Sequence, residues 1–177
     1  MEILSLVSLI VVLAAMAVRD FRFRAIEGYY YLLLAAAVVF YATMKVAVAV
    51  PVSNLMMNAC LLLLLMYGLW AYFKIRSGIS LQELFRSKLG MGDLLFWVAT
   101  APLFAPLHFI AWMIGSLCII LIAYGVWHVA GSRQQAQATI PLAGMQAVLL
   151  ALLLILNQGV LHYNFFEDSI ILSAIQP

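Results

Sequence analysis

Leu94 to Ser132 is a run of 39 residues without one Lys, Arg, Asp or Glu, and Val46 to Phe73 is a second such run. A bilayer crossing takes about 20 apolar residues, so runs of this length and composition point to membrane spans. With 67% hydrophobic and 9% charged residues, the whole chain departs from soluble globular composition. Six spans would consume roughly 120 residues, leaving short connections. The expected fold is therefore an all-α integral membrane protein with about six transmembrane helices, forming a single polytopic domain over residues 1–177. A receptor with a large ectodomain is excluded. The formal charge of +2 is too small to suggest a nucleic-acid partner. Cys60 and Cys118 both lie inside apolar runs, so neither a disulfide framework nor a cysteine zinc motif is present.

Charges divide the apolar sequence into segments. Residues 3–18 end in Ala15-Met16-Ala17, which mimics a leader-peptidase site, but Glu2 is the only charge before them. A secretory leader needs a basic start, so this stretch is read as the first span. The second runs from Gly28 to Met44. Pro51, Ser53 and Asn54 are expected to form a turn, with the third span over about Asn54 to Phe73. Pro102 and Pro106 divide the longest run into a hairpin of two spans, and Ile140 to about Asn157 supplies the sixth. Basic residues near span ends stay on the cytoplasmic side. In this arrangement Arg19, Arg22, Arg24, Lys74, Arg76, Arg86, Lys88 and Arg133 share one side and Lys45 stands alone on the other. Both termini are thus expected outside, with residues 19–27, 74–92 and 133–139 in the cytoplasm. Trp70 and Trp127 fall near cytoplasmic span ends and Trp112 near an outer one, as in interfacial aromatic belts.

Ser80-Leu81-Gln82-Glu83 has the spacing of a capping box, and Leu81, Leu84, Phe85 and Leu89 recur at helical intervals. Residues 80–89 therefore read either as a short amphipathic cytoplasmic helix favouring anionic lipid head groups or as a solvated linker.

Ionisable groups at a membrane boundary are costly and are retained mostly for function. Asp20, Glu27 and Asp93 fall on the cytoplasmic side, Asp20 directly after the first span and Asp93 directly before the fourth. Taken singly, Asp20 is an ion-pair candidate beside Arg19 and Arg22, and Asp93 is a helix N-cap. Taken together, two adjacent carboxyls do not both ionise easily, so one keeps a proton while the other accepts one from water. That is the chemistry of peptide hydrolysis without metal or cofactor. No serine stands in a GxSxG turn, and His108, His128 and His162 lack metal-ligand spacing. No metal site and no cofactor are expected.

Gly90-Met91-Gly92-Asp93 resembles the GxGD signature of intramembrane aspartic peptidases. Asp20, followed by Ile26, resembles the other catalytic position of the type IV prepilin peptidase family, where an Asp precedes an Ile-Pro pair; here Glu27 replaces the Pro. Ile140-Pro141-Leu142-Ala143-Gly144 is similar to the start of that family's last helix, and Leu95 stands where members often carry Lys. The resemblance is to the short, peptidase-only members, because the paired cysteines and length of a methyltransferase region are absent. It implies a multi-pass protein of the cytoplasmic (inner) membrane that removes basic leader peptides from pilin-like precursors, in pilus assembly or protein secretion, and leaves the new N-terminus unmethylated. Asp20 and Asp93 would be catalytic, with Gly90, Gly92, Glu27, Pro141 and Gly144 shaping the substrate site. Two other classes compete: a small transporter or proton-conducting subunit using the same acids, and a non-catalytic assembly subunit. A transporter needs polar groups along a path, and mid-span positions offer Asn58, Thr100 and Ser116. Because 39 residues make about 58 Å of helix, barely two crossings, Asp93 is expected at the cytoplasmic edge of the hydrocarbon.

Overall fold

A computed structural model describes residues 1–78, 80, 90–129 and 141–168. Residues 81–89 of the expected amphipathic segment, the side chain of Trp127 and the polar loop 133–139 lie outside the residues and side chains described. Among the described residues every regular element is helical: α1 (Glu2–Phe23), α2 (Gly28–Lys45), α3 (Ala49–Ser77), α4 (Met91–Thr100) continuing into a 3-10 turn (Ala101–Leu103), α5 (Pro106–Val129), and α6 (Leu142–Leu156) extended by a π turn (Asn157–Leu161). Four of these, α1, α3, α5 and α6 with its π turn, are long and apolar enough to cross a membrane, making this a membrane-embedded multi-pass protein. The 18 residues of α2 reach about 27 Å. Its apolar character is diluted by Tyr29, Tyr30, Tyr31 and Tyr41 and by Lys45 at its end.

Contacts between helix ends fix their directions. Lys45 Nζ donates to Glu2 Oε2 at 2.8 Å and to Gln158 Oε1 at 3.4 Å, bringing the start of α1 and the ends of α2 and α6 to one end of the bundle. At the other end the Gly144 N–H meets Asp20, so α1 finishes where α6 begins. Lys74 and Arg76 in the last turn of α3, and Arg22 in the last turn of α1, make this the basic end. The core runs between α1, α2 and α6 through Leu9, Leu13, Leu34, Val38, Ala147 and Leu150, all essentially inaccessible.

Three boundaries differ from the sequence expectation. First, α1 continues through Asp20 to Phe23 and is closed by Arg24 in the left-handed region at φ 52°. Leu6, Leu9, Leu13, Met16, Ala17 and Asp20 form its buried stripe, at the three- and four-residue spacing of one helix face. Second, α3 starts at Ala49, so Pro51, Ser53 and Asn54 are helical; a proline is tolerated in a first turn because its missing N–H would have had no intrahelical partner. Third, the 39-residue run is not divided into two equal crossings. Pro102 and Pro106 break it after Leu103, and the 13 residues of α4 with its turn cover about 21 Å, short of the roughly 30 Å of hydrocarbon.

A helix that stops inside apolar surroundings leaves carbonyls that must find donors. Asn58 supplies them: its Nδ2 donates to Ala101 O at 2.9 Å and Phe104 O at 2.7 Å. The tail after α6 completes the closure, with Ala105 N donating to Phe165 O at 2.8 Å and Asn54 Nδ2 to Phe166 O at 3.2 Å. Thr100 Oγ1 donates back to Phe96 O, and Ser116 Oγ to Met113 O. Asn58, Thr100 and Ser116 therefore serve the backbone of the bundle, while the buried Gln146 of α6 donates its Nε2 to Ser116 Oγ at 3.5 Å.

Candidate active site

Asp20 is buried, 8% exposed, although it carries a carboxyl. Its Oδ2 accepts the Gly144 N–H at 2.6 Å. Gly144 is the third residue of α6, and the first N–H groups of a helix have no intrahelical acceptor, so a carboxylate there satisfies a free donor and faces the positive end of the helix dipole. The contact also requires glycine, because a Cβ at 144 would lie 2.8 Å from Asp20 Cβ and 2.9 Å from Oδ2.

Asp93 is the third residue of α4, and its N–H donates to Gly90 O at 3.1 Å. Its carboxyl folds back over Gly90, where a Cβ would sit 2.6 Å from Oδ2. Gly92 has a different neighbour: a Cβ there would lie 2.6 Å from the Tyr31 hydroxyl oxygen. The two glycines of Gly90-Met91-Gly92-Asp93 thus make room for different groups, one for the aspartate itself and the other for a tyrosine of α2.

These side chains converge on one cavity of about 250 Å³ at the basic end of the bundle, lined by Asp20, Asp93, Gly90, Gly92 and Tyr31 together with main chain and side chains from the 24–26 turn and from Leu142 and Ala143. Seventy-three positions separate the two aspartates in sequence; the packing of α1, α2, α4 and α6 brings them together. A larger cavity, about 520 Å³, lies between α3 and α4, but its walls are almost wholly apolar and hold no carboxyl group.

Glu27 stands outside the cavity. Its carboxylate pairs with Arg19, whose guanidinium also lies 5.5 Å from the Tyr30 ring centroid. With its charge met by Arg19 and its side chain 55% exposed, Glu27 is not a third acid lining the aspartate cavity. Pro141 immediately precedes α6, and its carbonyl accepts the Met145 N–H at 3.1 Å; it sets the start of the helix whose third residue holds Asp20. Tyr31, buried at 7%, is the site residue that sequence reasoning missed. The available signal was its place in the first turn of α2, only eleven positions after Asp20, but two neighbouring tyrosines mask it. Among the described residues no three His, Cys, Asp or Glu side chains are grouped to hold a metal ion. Two carboxyls facing one polar cavity can divide the donation and acceptance of a proton between them. Comparison with protein-family models, curated proteins and solved structures gave no match.

Proposed function

We propose that this chain is a membrane aspartic endopeptidase of the prepilin peptidase type, cleaving basic leader peptides from pilin-like precursors at the cytoplasmic face of the inner membrane. One observation carries the reading: Asp20 at the end of α1 and Asp93 at the start of α4 line the same cavity, each packed against a glycine that admits no larger residue in place. One carboxyl holds a proton and polarises the scissile carbonyl, and the other, ionised, takes a proton from the attacking water. The tetrahedral intermediate then collapses as the leaving amine is protonated, and the pair returns to its starting charge. The Gly144 N–H holds the Asp20 carboxylate in one orientation during this exchange.

In this reading the chain passes the membrane six times, the fourth pass by the short α4 arm of a hairpin, and both termini face outward, so that the basic end of the bundle lies in the cytoplasm beside the positively charged leader. The short reach of α4 is accommodated by Asn58, which caps its end within the bundle. The backbone-directed bonding of Asn58, Thr100 and Ser116 favours the peptidase over a transporter, whose path would need such groups free for cargo. The test is co-expression with a pilin-like precursor bearing a basic leader, scored for a shift to the mature size. A shift with the parent chain that is absent with Asp93→Asn is the expected result; an unshifted precursor with both chains contradicts the proposal.

A further inference from the structure

The apolar cavity between α3 and α4 is a groove with walls and an opening of different chemistry. Its α3 wall is a single stripe running from Ala59 through Leu63 to Trp70, at the three- and four-residue spacing of one face, and Leu94 and Val98 form the opposite wall on α4. One residue before Ala59, Asn58 turns into the bundle and binds the carbonyls of Ala101 and Phe104. From Ala59 to Trp70 the stripe rises about 16 Å. That is about half of the roughly 30 Å hydrocarbon core, the depth of one leaflet. A crossing helix would need the full thickness, whereas a single acyl chain needs this depth and a dry wall.

The opening is cationic. Lys74, one turn beyond Trp70 on the same face, holds its Nζ 4.6 Å from the Trp70 ring centroid, and Arg76 follows in the same last turn of α3. An apolar slot one leaflet deep that opens beside an ammonium group matches an acyl chain joined to a phosphate. We infer that the groove between α3 and α4 is a binding site for one anionic phospholipid, with an acyl chain along Leu63, Leu94 and Val98 and the phosphate at Lys74. The site is separate from the aspartate cavity and does not depend on the peptidase reading.

The test uses Trp70 as its own reporter. The full chain is reconstituted in phosphatidylcholine liposomes containing either phosphatidylglycerol or phosphatidylcholine brominated on the acyl chain, at equal mole fraction. The Trp70 signal is the fluorescence lost in Trp70→Phe. Brominated phosphatidylglycerol should quench that signal with about fivefold higher apparent occupancy than brominated phosphatidylcholine, the preference one lysine gives near an anionic head group. Lys74→Gln should remove the preference, and Val98→Phe, which fills the slot, should reduce quenching by both lipids. Native mass spectrometry of the same proteins should show one retained phosphatidylglycerol in the parent and none in Lys74→Gln. Equal quenching by the two lipids means bulk contact only and overturns the inference. So does a Trp70 signal that neither lipid quenches, which would mean that protein covers the groove, and so does quenching unchanged by Val98→Phe.

Discussion

The two ends of the bundle treat buried polar groups in opposite ways. At the end where α5 begins, Asp168 accepts the N–H groups of Leu107 at 3.1 Å and His108 at 3.4 Å, and its Oδ1 lies 2.8 Å from His108 Nδ1. His108 Nε2 in turn lies 2.7 Å from the Tyr163 hydroxyl, while Asn157 bonds both the N–H and the carbonyl of Tyr163. Every member of that network is tied to another part of the chain, and together they hold the tail over the broken α4–α5 hairpin. At the basic end, Asp20 has a backbone partner but still faces a cavity, and Asp93 faces the same space. Satisfied polar groups fix a fold; acids facing open volume are available for chemistry.

The largest contrast should come from removing one acid at each end. Asp20→Asn or Asp93→Asn should abolish precursor cleavage with normal membrane insertion, because the basic residues that orient the chain are untouched. Asp168→Asn should leave cleavage within about twofold while lowering the thermal midpoint, since an amide has one acceptor oxygen where the carboxylate uses two, a lost hydrogen bond worth roughly 1 kcal/mol. Cleavage assays and thermal unfolding in detergent, run side by side, separate the two.

Glycines sharpen the comparison at the next level. Gly144→Ala and Gly90→Ala place a Cβ within 2.9 Å of an aspartate side chain and should each cost at least about tenfold in cleavage rate, the scale expected when a catalytic group is displaced by ångströms. Gly68→Ala and Gly115→Ala meet open space on helices and should leave cleavage intact and stabilise by about 0.5–1 kcal/mol. Equal loss from all four would remove the special status of the site glycines. Asn58→Leu is the matching change in the capped hairpin: it strands two buried carbonyls, at about 1–3 kcal/mol each, and should lower the thermal midpoint more than Asp168→Asn.

Smaller effects follow from groups at the margin of the cavity. Tyr31→Phe removes only the hydroxyl packed over Gly92 and keeps the ring in the cavity wall, so it should reduce cleavage by less than about tenfold, with little change in stability. Glu27→Gln breaks only a partly exposed pair with Arg19, and should change stability by less than about 1 kcal/mol and leave the pH profile of cleavage in place. A shifted profile would return Glu27 to the site.

What the sequence made legible was what lies within a few residues or repeats along a helix. Apolar runs marked the four helices long enough to cross a membrane, and the local pattern around Asp93 singled out the second acid. The first acid was found by its position after a charge-free run, although α1 continues past it as a helix; a buried aspartate on an apolar stripe looks, in sequence, like the start of a loop. Gly144 was named only as part of a groove, because its N–H becomes a ligand for Asp20 only when the first turn of α6 packs against α1. The His108–Asp168 pair was missed for the same reason, the partners of His108 lying 55 to 60 positions away, whereas Tyr31 lies close to Asp20 in sequence but is masked by Tyr29 and Tyr30. The uneven hairpin depends on Asn58, one uncharged amide in an apolar helix, whose role is visible only beside the carbonyls it caps.

The central claim is that Asp20 and Asp93 act as one unit, and the direct measurement is a double-mutant cycle on cleavage. Rates of the parent, Asp20→Asn, Asp93→Asn and the double variant are measured in liposomes with a precursor carrying a basic leader, across pH. The account predicts a bell-shaped profile for the parent, because the pair must hold one proton, and a double variant little worse than either single one, because groups that act together lose their effect together. Substantial cleavage by either single variant, or losses that simply multiply in the double, would contradict it.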